Sequence, residues 1–186
     1  MSLVRRNMLL VLLLLPFSSA LAESERKVMG WVEDVVIEPP GFNMEAKLDS
    51  GALTSSLHAT NIERFKKDGE EWVRFTVHNG DGSRSKLLEK PLYRDVLIKR
   101  HGADSQRRPV VRLAFCLAGQ SHEAQFSLTD RSNFIYPVLL GRRFLGDVAL
   151  IDSRDRHLTT GSCQDQEEYE EEPEGDSRTE SEPEDA

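Results

Sequence analysis

The chain has 186 residues, of which 30% are charged and 38% hydrophobic, and its net charge is −8. That length suits one domain with its own core. The charge is uneven: between Gln164 and Ala186 twelve Asp and Glu stand against Arg178 alone, a net of −11, which leaves about +1 over residues 23–163 once Arg5 and Arg6 are set aside. An acidic folded body is thereby excluded, and the sequence describes a near-neutral domain with an acidic tail.

Residues 1–22 read as an export signal. Arg5 and Arg6 form a positive start, Met8 to Leu15 is apolar throughout, and Ser19-Ala20-Leu21-Ala22 ends in small-x-small. The apolar run falls short of the roughly 20 residues a spanning helix needs, and Pro16 interrupts its end. Cleavage after Ala22, a periplasmic location and no stable membrane insertion afterwards are expected. No cysteine follows the cleavage site, which argues against a lipoprotein.

The middle of the chain is rich in strand signals. Val28 to Ile37 and Phe42 to Leu48 bracket a Pro-Pro-Gly turn. Trp72 to His78 alternates, with Val73, Phe75 and Val77 on one face, and Asn79-Gly80-Asp81-Gly82 marks a tight turn. Val110 to Ala118 reads as a strand, Gly119-Gln120 as its turn, and Ser121 to Leu128 as the return. Late in the chain, Pro137 to Leu140 and Val148 to Asp152 are short apolar runs around a helical turn at Arg142–Leu145. Many short strands separated by glycine-rich turns predict an all-β, closed or sandwiched single domain over residues 23–163. The tail, 164–186, has too few apolar residues to offset the entropy of ordering and is expected to be disordered. Cys116 and Cys163 are the only cysteines. An exported protein permits a disulfide between them, while the apolar setting of Cys116 suits a buried free thiol equally.

The chemistry-bearing segment is Lys47-Leu48-Asp49-Ser50-Gly51-Ala52. An apolar strand delivers a carboxylate onto a tight turn, and glycine lets backbone and substrate approach closely. The Ser50 hydroxyl is placed to bond across to a partner loop. As a bare string, Asp-Ser-Gly-Ala also occurs in ordinary turns. A second element, Val138-Leu139-Leu140-Gly141-Arg142, supplies an apolar strand that ends at glycine and arginine.

Together these segments resemble retropepsins. With Thr54-Ser55-Ser56-Leu57-His58-Ala59 and Trp72-Val73-Arg74-Phe75, the stretch from Gly30-Trp31 through Leu158 is similar to the bacterial retropepsin-like aspartic peptidase family often labelled ATP-dependent zinc proteases. Its members commonly carry Thr where Ser50 stands, and a β-hydroxyl is retained either way. The resemblance implies a retropepsin-like closed β-barrel with one short helix, Asp49 as the catalytic residue, and Ser50, Gly51, Ala52, Leu140, Gly141 and Arg142 as support for its loop. Neither zinc nor ATP finds its signature. There is no Gly-x-x-x-x-Gly-Lys-Ser/Thr loop and no His-Glu-x-x-His helix, and His58, His78, His101, His122 and His157 are scattered singly. No cofactor and no metal are expected, and no nucleic acid.

Retropepsin chemistry needs two aspartates sharing one proton, because close carboxylates cannot both ionise cheaply. This chain offers one such element, so the resemblance implies a homodimer with an Asp49/Asp49′ dyad acting on a peptide or protein. The stretch from Val96 to Val110, with Lys99-Arg100-His101-Gly102 near its tip, is the expected flap, and the Asn79–Ser83 hairpin competes with it. Two other readings stand: a non-catalytic retropepsin-fold binding or regulatory module of the cell envelope, and a metal-dependent hydrolase.

Overall fold

Residues 25–100 and 103–159 are described by the computed structural model. The export signal, the acidic tail, Cys163 and His101-Gly102 lie outside the described residues.

Alternating burial sets the first strands. β1 (Lys27–Gly30) and β2 (Val32–Glu38) are parted by a bend at Trp31, and β3 (Phe42–Asp49) returns antiparallel to β2. Val35 and Ile37 from β2 and Phe42, Met44, Ala46 and Leu48 from β3 are all buried on one side, the period of two expected of a half-buried strand. The Pro39-Pro40-Gly41 turn joins them. Gly41 has φ +77°, a left-handed conformation that glycine adopts without penalty, and its N–H donates to the Ile37 carbonyl at 2.8 Å.

The chain continues through β4 (Ser55–His58), β5 (Thr60–Lys67), β6 (Glu70–His78), β7 (Ser85–Pro91), β8 (Arg94–Arg100), β9 (Ala103–Leu117), β10 (Gln120–Thr129), β11 (Val138–Gly141), α1 (Arg142–Val148) and β12 (Ala149–Asp152). The main sheet has seven strands in the order β10-β4-β11-β3-β2-β9-β8, and β9 also pairs with β10. That extra pairing closes six of the strands into a hydrogen-bonded ring, with β8 branching from β9. Leu48, Leu57, Phe115, Phe126 and Leu140 fill its interior, each at most 3% exposed. Each such side chain contributes roughly 1.5–3 kcal/mol by leaving water. The fold is all-β with one short helix, as the resemblance implied.

A separate three-stranded sheet, β5-β6-β7, lies between β4 and β8 in the chain. It buries Val73, Phe75 and Val77, the face read from the alternation, and it accounts for the long spacing between Asp49 and Gly141. A third, two-stranded sheet pairs β1 with β12 in parallel.

Four expectations need correction or refinement. The expected flap, Val96 to Val110, is built of strands: β8 and β9 form an antiparallel arm, from Arg94 opposite Val110 to Arg100 opposite Ala103. Asp95 holds it together by pairing with Arg64 and with Arg107, the latter at 3.4 Å. The turn before β10 falls on Ala118-Gly119, with Ala118 at φ +55°, so Gln120 already belongs to the strand. The helical turn continues past Leu145 to Val148. Cys116 is disulfide-bonded and 1% exposed, so the free-thiol reading does not hold.

Candidate active site

β3 ends at Asp49 because the turn beyond it is stabilised by that side chain. Asp49 Oδ1 accepts the N–H of Gly51 at 2.9 Å and of Ala52 at 3.3 Å, and the Asp49 carbonyl accepts Ala52 N–H at 3.2 Å. A Cβ at position 51 would sit 3.1 Å from Oδ1, so glycine lets the turn close this tightly. Oδ2 lies 3.3 Å from Lys47 Nζ, and the Asp49 side chain keeps 26% exposure.

The second element lies against the Asp49 loop. Leu140 and Gly141 are the register partners of Leu48 and Asp49 across β11 and β3. A Cβ on Gly141 would meet the Thr54 carbonyl carbon at 2.8 Å and that of Leu53 at 3.0 Å. The Gly141 N–H donates to Ser55 Oγ at 3.0 Å, Arg142 N–H to the Ala52 carbonyl at 2.9 Å, and Arg143 N–H to that of Leu53 at 3.2 Å. Arg142 Nη1 reaches back to the carbonyls of Gly51 at 3.0 Å and Ser50 at 3.4 Å. The loop is therefore tied from one side by its own carboxylate and from the other by the start of α1. Ser50 is exposed, and its hydroxyl makes no hydrogen bond to another described residue.

Sequence reasoning did not single out the surface beside this loop. Lys47 is opposite Leu139, and Leu139 is opposite Ser56. The three lie across one face, while Leu48, Leu140 and Leu57, one position along each strand, point into the core. Asp49 shares the Lys47 face by the period of two. Arg131, only 6% exposed, lies over Ser56 and donates from Nη1 to its Oγ at 2.8 Å and from Nε to the Tyr136 carbonyl at 3.2 Å. Burial is the main influence pushing its guanidinium below the ordinary value; Arg108 adds to that, and Asp49 opposes it. Nothing in Asp130-Arg131-Ser132-Asn133 signals a buried cation, because the string reads as a turn.

His58, one turn past the loop, accepts the Arg131 backbone N–H through Nδ1 at 2.8 Å. A neutral ring therefore carries its proton on Nε2. Burial lowers its pKa below 6.5, Asp130 opposes the shift, and His78 and Arg131 reinforce it. His58 and His78 stack with ring centres 5.6 Å apart, and His78 Nε2 bonds Thr60 Oγ1 at 2.8 Å. His157 sits between Asp34 and Glu45, and His122 packs on Phe115 and Phe144. Among the described residues no group of three or more His, Cys, Asp and Glu is arranged to hold a metal ion.

Known proteins are similar to this chain. The family model described as RimB-like, retropepsin-like aspartic endopeptidase RimB, matches residues 28–161. A probable alpha-L-glutamate ligase of Shewanella pealeana is 38% identical over 111 residues, covering 59% of this chain and 24% of that protein. Its counterpart in Shewanella halifaxensis is 37% identical over the same length. The chain thus spans about a quarter of these relatives, 24% in both. A crystallised protein of unknown function from Legionella pneumophila superposes with a TM-score of 0.62 at 31% identity, covering 73% of this chain and 100% of the other.

Proposed function

Because the chain belongs to the RimB-like family of retropepsin-like aspartic endopeptidases, we propose that it hydrolyses peptide bonds as a homodimer, Asp49 of each copy forming the acid–base pair. The observation that carries this reading is the loop itself: Asp49 stands at a strand end, its Oδ1 held by two backbone N–H groups and its backbone pinned by Gly141 and Arg142.

In the dyad the ionised carboxylate takes a proton from water as the water oxygen bonds to the scissile carbonyl carbon. The protonated carboxylate donates to the carbonyl oxygen. On collapse the aspartate that took the water proton gives it to the leaving nitrogen as the C–N bond breaks. The other aspartate takes the proton of the gem-diol hydroxyl as the carbonyl re-forms, so the dyad again holds one shared proton. The backbone N–H donors fix the orientation of each carboxylate, so no reorganisation is needed during the reaction. Two features favour the dimer. The chain has one such loop, and that loop turns an unpartnered Ser50 hydroxyl and a half-exposed Leu53 outward. Export through residues 1–22 would place the activity in the periplasm.

An acidic peptide is the substrate class the surface suits best. Lys47 and Arg131 flank the approach to Asp49, and two relatives that contain this region are named for glutamate ligation. The ligation belongs to those longer proteins and is not carried over. A second reading, a non-catalytic binding or regulatory module, draws on one observation: Lys47 already occupies Oδ2.

Incubation of the mature chain with a peptide library rich in Glu and Asp, beside Asp49→Asn, tests the proposal. Cleavage that disappears in the variant, from a species that sediments as a dimer, is expected. A folded dimer that cleaves nothing would transfer the assignment to the second reading.

A further inference from the structure

We propose that the acidic segment 164–186 of this chain occupies the basic surface beside Asp49, as an intramolecular ligand that an acidic peptide must displace. The inference deepens the reading above, since it takes that surface as the peptide-binding site, but it does not depend on catalysis.

The surface is built for an anion that the described residues do not supply. Arg131 is more than nine-tenths buried, and its guanidinium donates only to neutral oxygens, those of Ser56 and Tyr136. A guanidinium has five N–H donors, and no carboxylate among the described residues lies within ion-pair distance of this one. A buried charge without a counter-charge is costly, so an anionic partner placed there would be bound with unusual advantage. Two further cations adjoin it. Lys47 keeps 43% of its side chain exposed and pairs with Asp49, and Arg108 of β9 is close enough to disfavour the charge on Arg131. Arg107 and Arg64 continue the line and share Asp95 between them.

The occupant follows from charge and tether. Segment 164–186 carries a net of −11, while residues 23–163 sum to about +1. Its attachment point is fixed on the same domain: Thr159 donates to buried Glu33 from its N–H at 3.2 Å and from its hydroxyl at 2.7 Å. A stretch of this length spans up to about 75 Å when extended, enough to reach Lys47, Arg131 and the arm. A tethered ligand acts at an effective concentration of about 1 mM. Ion pairing with a Kd of about 0.1 mM would keep the surface about nine-tenths occupied, and a separate acidic peptide would bind about tenfold more weakly. The attraction is electrostatic and fades as salt shortens the screening length, roughly 10 Å at 0.1 M.

The test uses the mature chain and a second version in which all twelve Asp and Glu from Asp165 to Asp185 are changed to Asn and Gln. The probe is a fluorescein-labelled peptide with the sequence of residues 164–186, followed by anisotropy. The neutralised chain should bind it at least tenfold more tightly than the native chain in low salt. The difference should vanish at about 0.5 M NaCl, and Lys47→Gln should weaken binding severalfold. Carbodiimide coupling of the native chain should join segment carboxylates to Lys47 in preference to Lys66, Lys67, Lys86 and Lys90. Equal binding by the two chains, binding by neither, coupling mainly to those four lysines, or coupling only between isotopically distinct chains would each overturn the proposal. None of these readouts involves cleavage, so an inactive protein that holds its segment and an active one that leaves it free are told apart.

Discussion

Gly141 and Asp49 are register partners across the parallel β3–β11 pair, and the volume a side chain would need at Gly141 is filled by the backbone of Ala52, Leu53 and Thr54. The glycine is therefore the condition on which β11 packs behind the Asp49 loop. In Gly141→Ala the methyl group meets only backbone, which has no rotamer to escape into. The expected cost is about 1–3 kcal/mol of stability, and a loop displaced by even 1 Å should lower kcat/KM about 10²-fold. Gly146, in α1, has nothing within 4 Å of an added Cβ. Gly146→Ala should leave activity intact and raise stability by up to about 1 kcal/mol. Urea unfolding and peptide cleavage on both variants decide the matter, and equal behaviour would show that the close packing is not what positions Asp49.

Asp49→Asn separates geometry from charge. The amide oxygen still accepts the N–H groups of Gly51 and Ala52, so the turn should persist. The lost ion pair with Lys47 is half-exposed on the lysine side, and pairs of that kind contribute under about 1 kcal/mol. Thermal unfolding should shift by only a few degrees while peptide cleavage falls at least 10³-fold, within the scale of general acid–base loss. Retained cleavage in a folded variant would remove Asp49 from the chemistry.

The same two segments mark how much the sequence disclosed. Lys47–Ala52 and Val138–Arg142 were legible because each couples an apolar strand to a glycine with a steric task, and β6 was legible from the strict alternation of Val73, Phe75 and Val77. β4 was not. Ser55-Ser56-Leu57-His58 has no apolar alternation, and it is a strand because β10 and β11 pair with it on both sides. The outer half of β9 reads as a polar loop because Arg107 and Arg108 interrupt it; its pairing is held by Asp95, whose partners are Arg64, 31 residues away, and Arg107. Arg131 was missed for a related reason. Its burial depends on Ser56 and Tyr136, and nothing local distinguishes it from a solvated turn arginine.

The burial of His58 makes stability depend on pH. Its folded pKa lies below 6.5, so the unfolded chain binds the proton more readily. The stability associated with the neutral ring is fully present above pH 6.5 and is lost as pH falls below that value. Protonation would also convert Nδ1 from acceptor to donor and break its bond with the Arg131 N–H. His122, lowered by burial as well, contributes in the same direction. His58→Asn keeps an acceptor near Nδ1 and cannot titrate. The urea midpoint of the native chain should fall between pH 7.5 and pH 5.0, and that of the variant should fall less. Identical slopes would assign the whole dependence to other groups.

Glu33 is a buried carboxylate, 1% exposed, whose partners are all on the chain ends of the domain. It accepts the Gly30 N–H at 2.6 Å, the Leu158 N–H at 3.0 Å, the Thr159 N–H at 3.2 Å and the Thr159 hydroxyl at 2.7 Å. One carboxylate thus joins the end of β1 to the irregular segment after β12. In Glu33→Gln one of the two acceptor oxygens becomes an NH2 donor facing N–H donors. Hydrogen bonds to a charged group contribute about 1.5–3 kcal/mol each, and a buried donor left unpaired costs a further ~1–3 kcal/mol, so a net loss of about 2–4 kcal/mol is expected. Hydrogen exchange distinguishes the two ways this loss can appear. Faster exchange confined to Trp31, His157 and Leu158 would mean that the segment lets go while the ring of strands stays intact. Faster exchange throughout β2, β3 and β9 would mean that Glu33 supports the ring itself. The first outcome is expected, because the ring is closed by β9–β10 pairing and filled by an apolar cluster to which Glu33 does not belong.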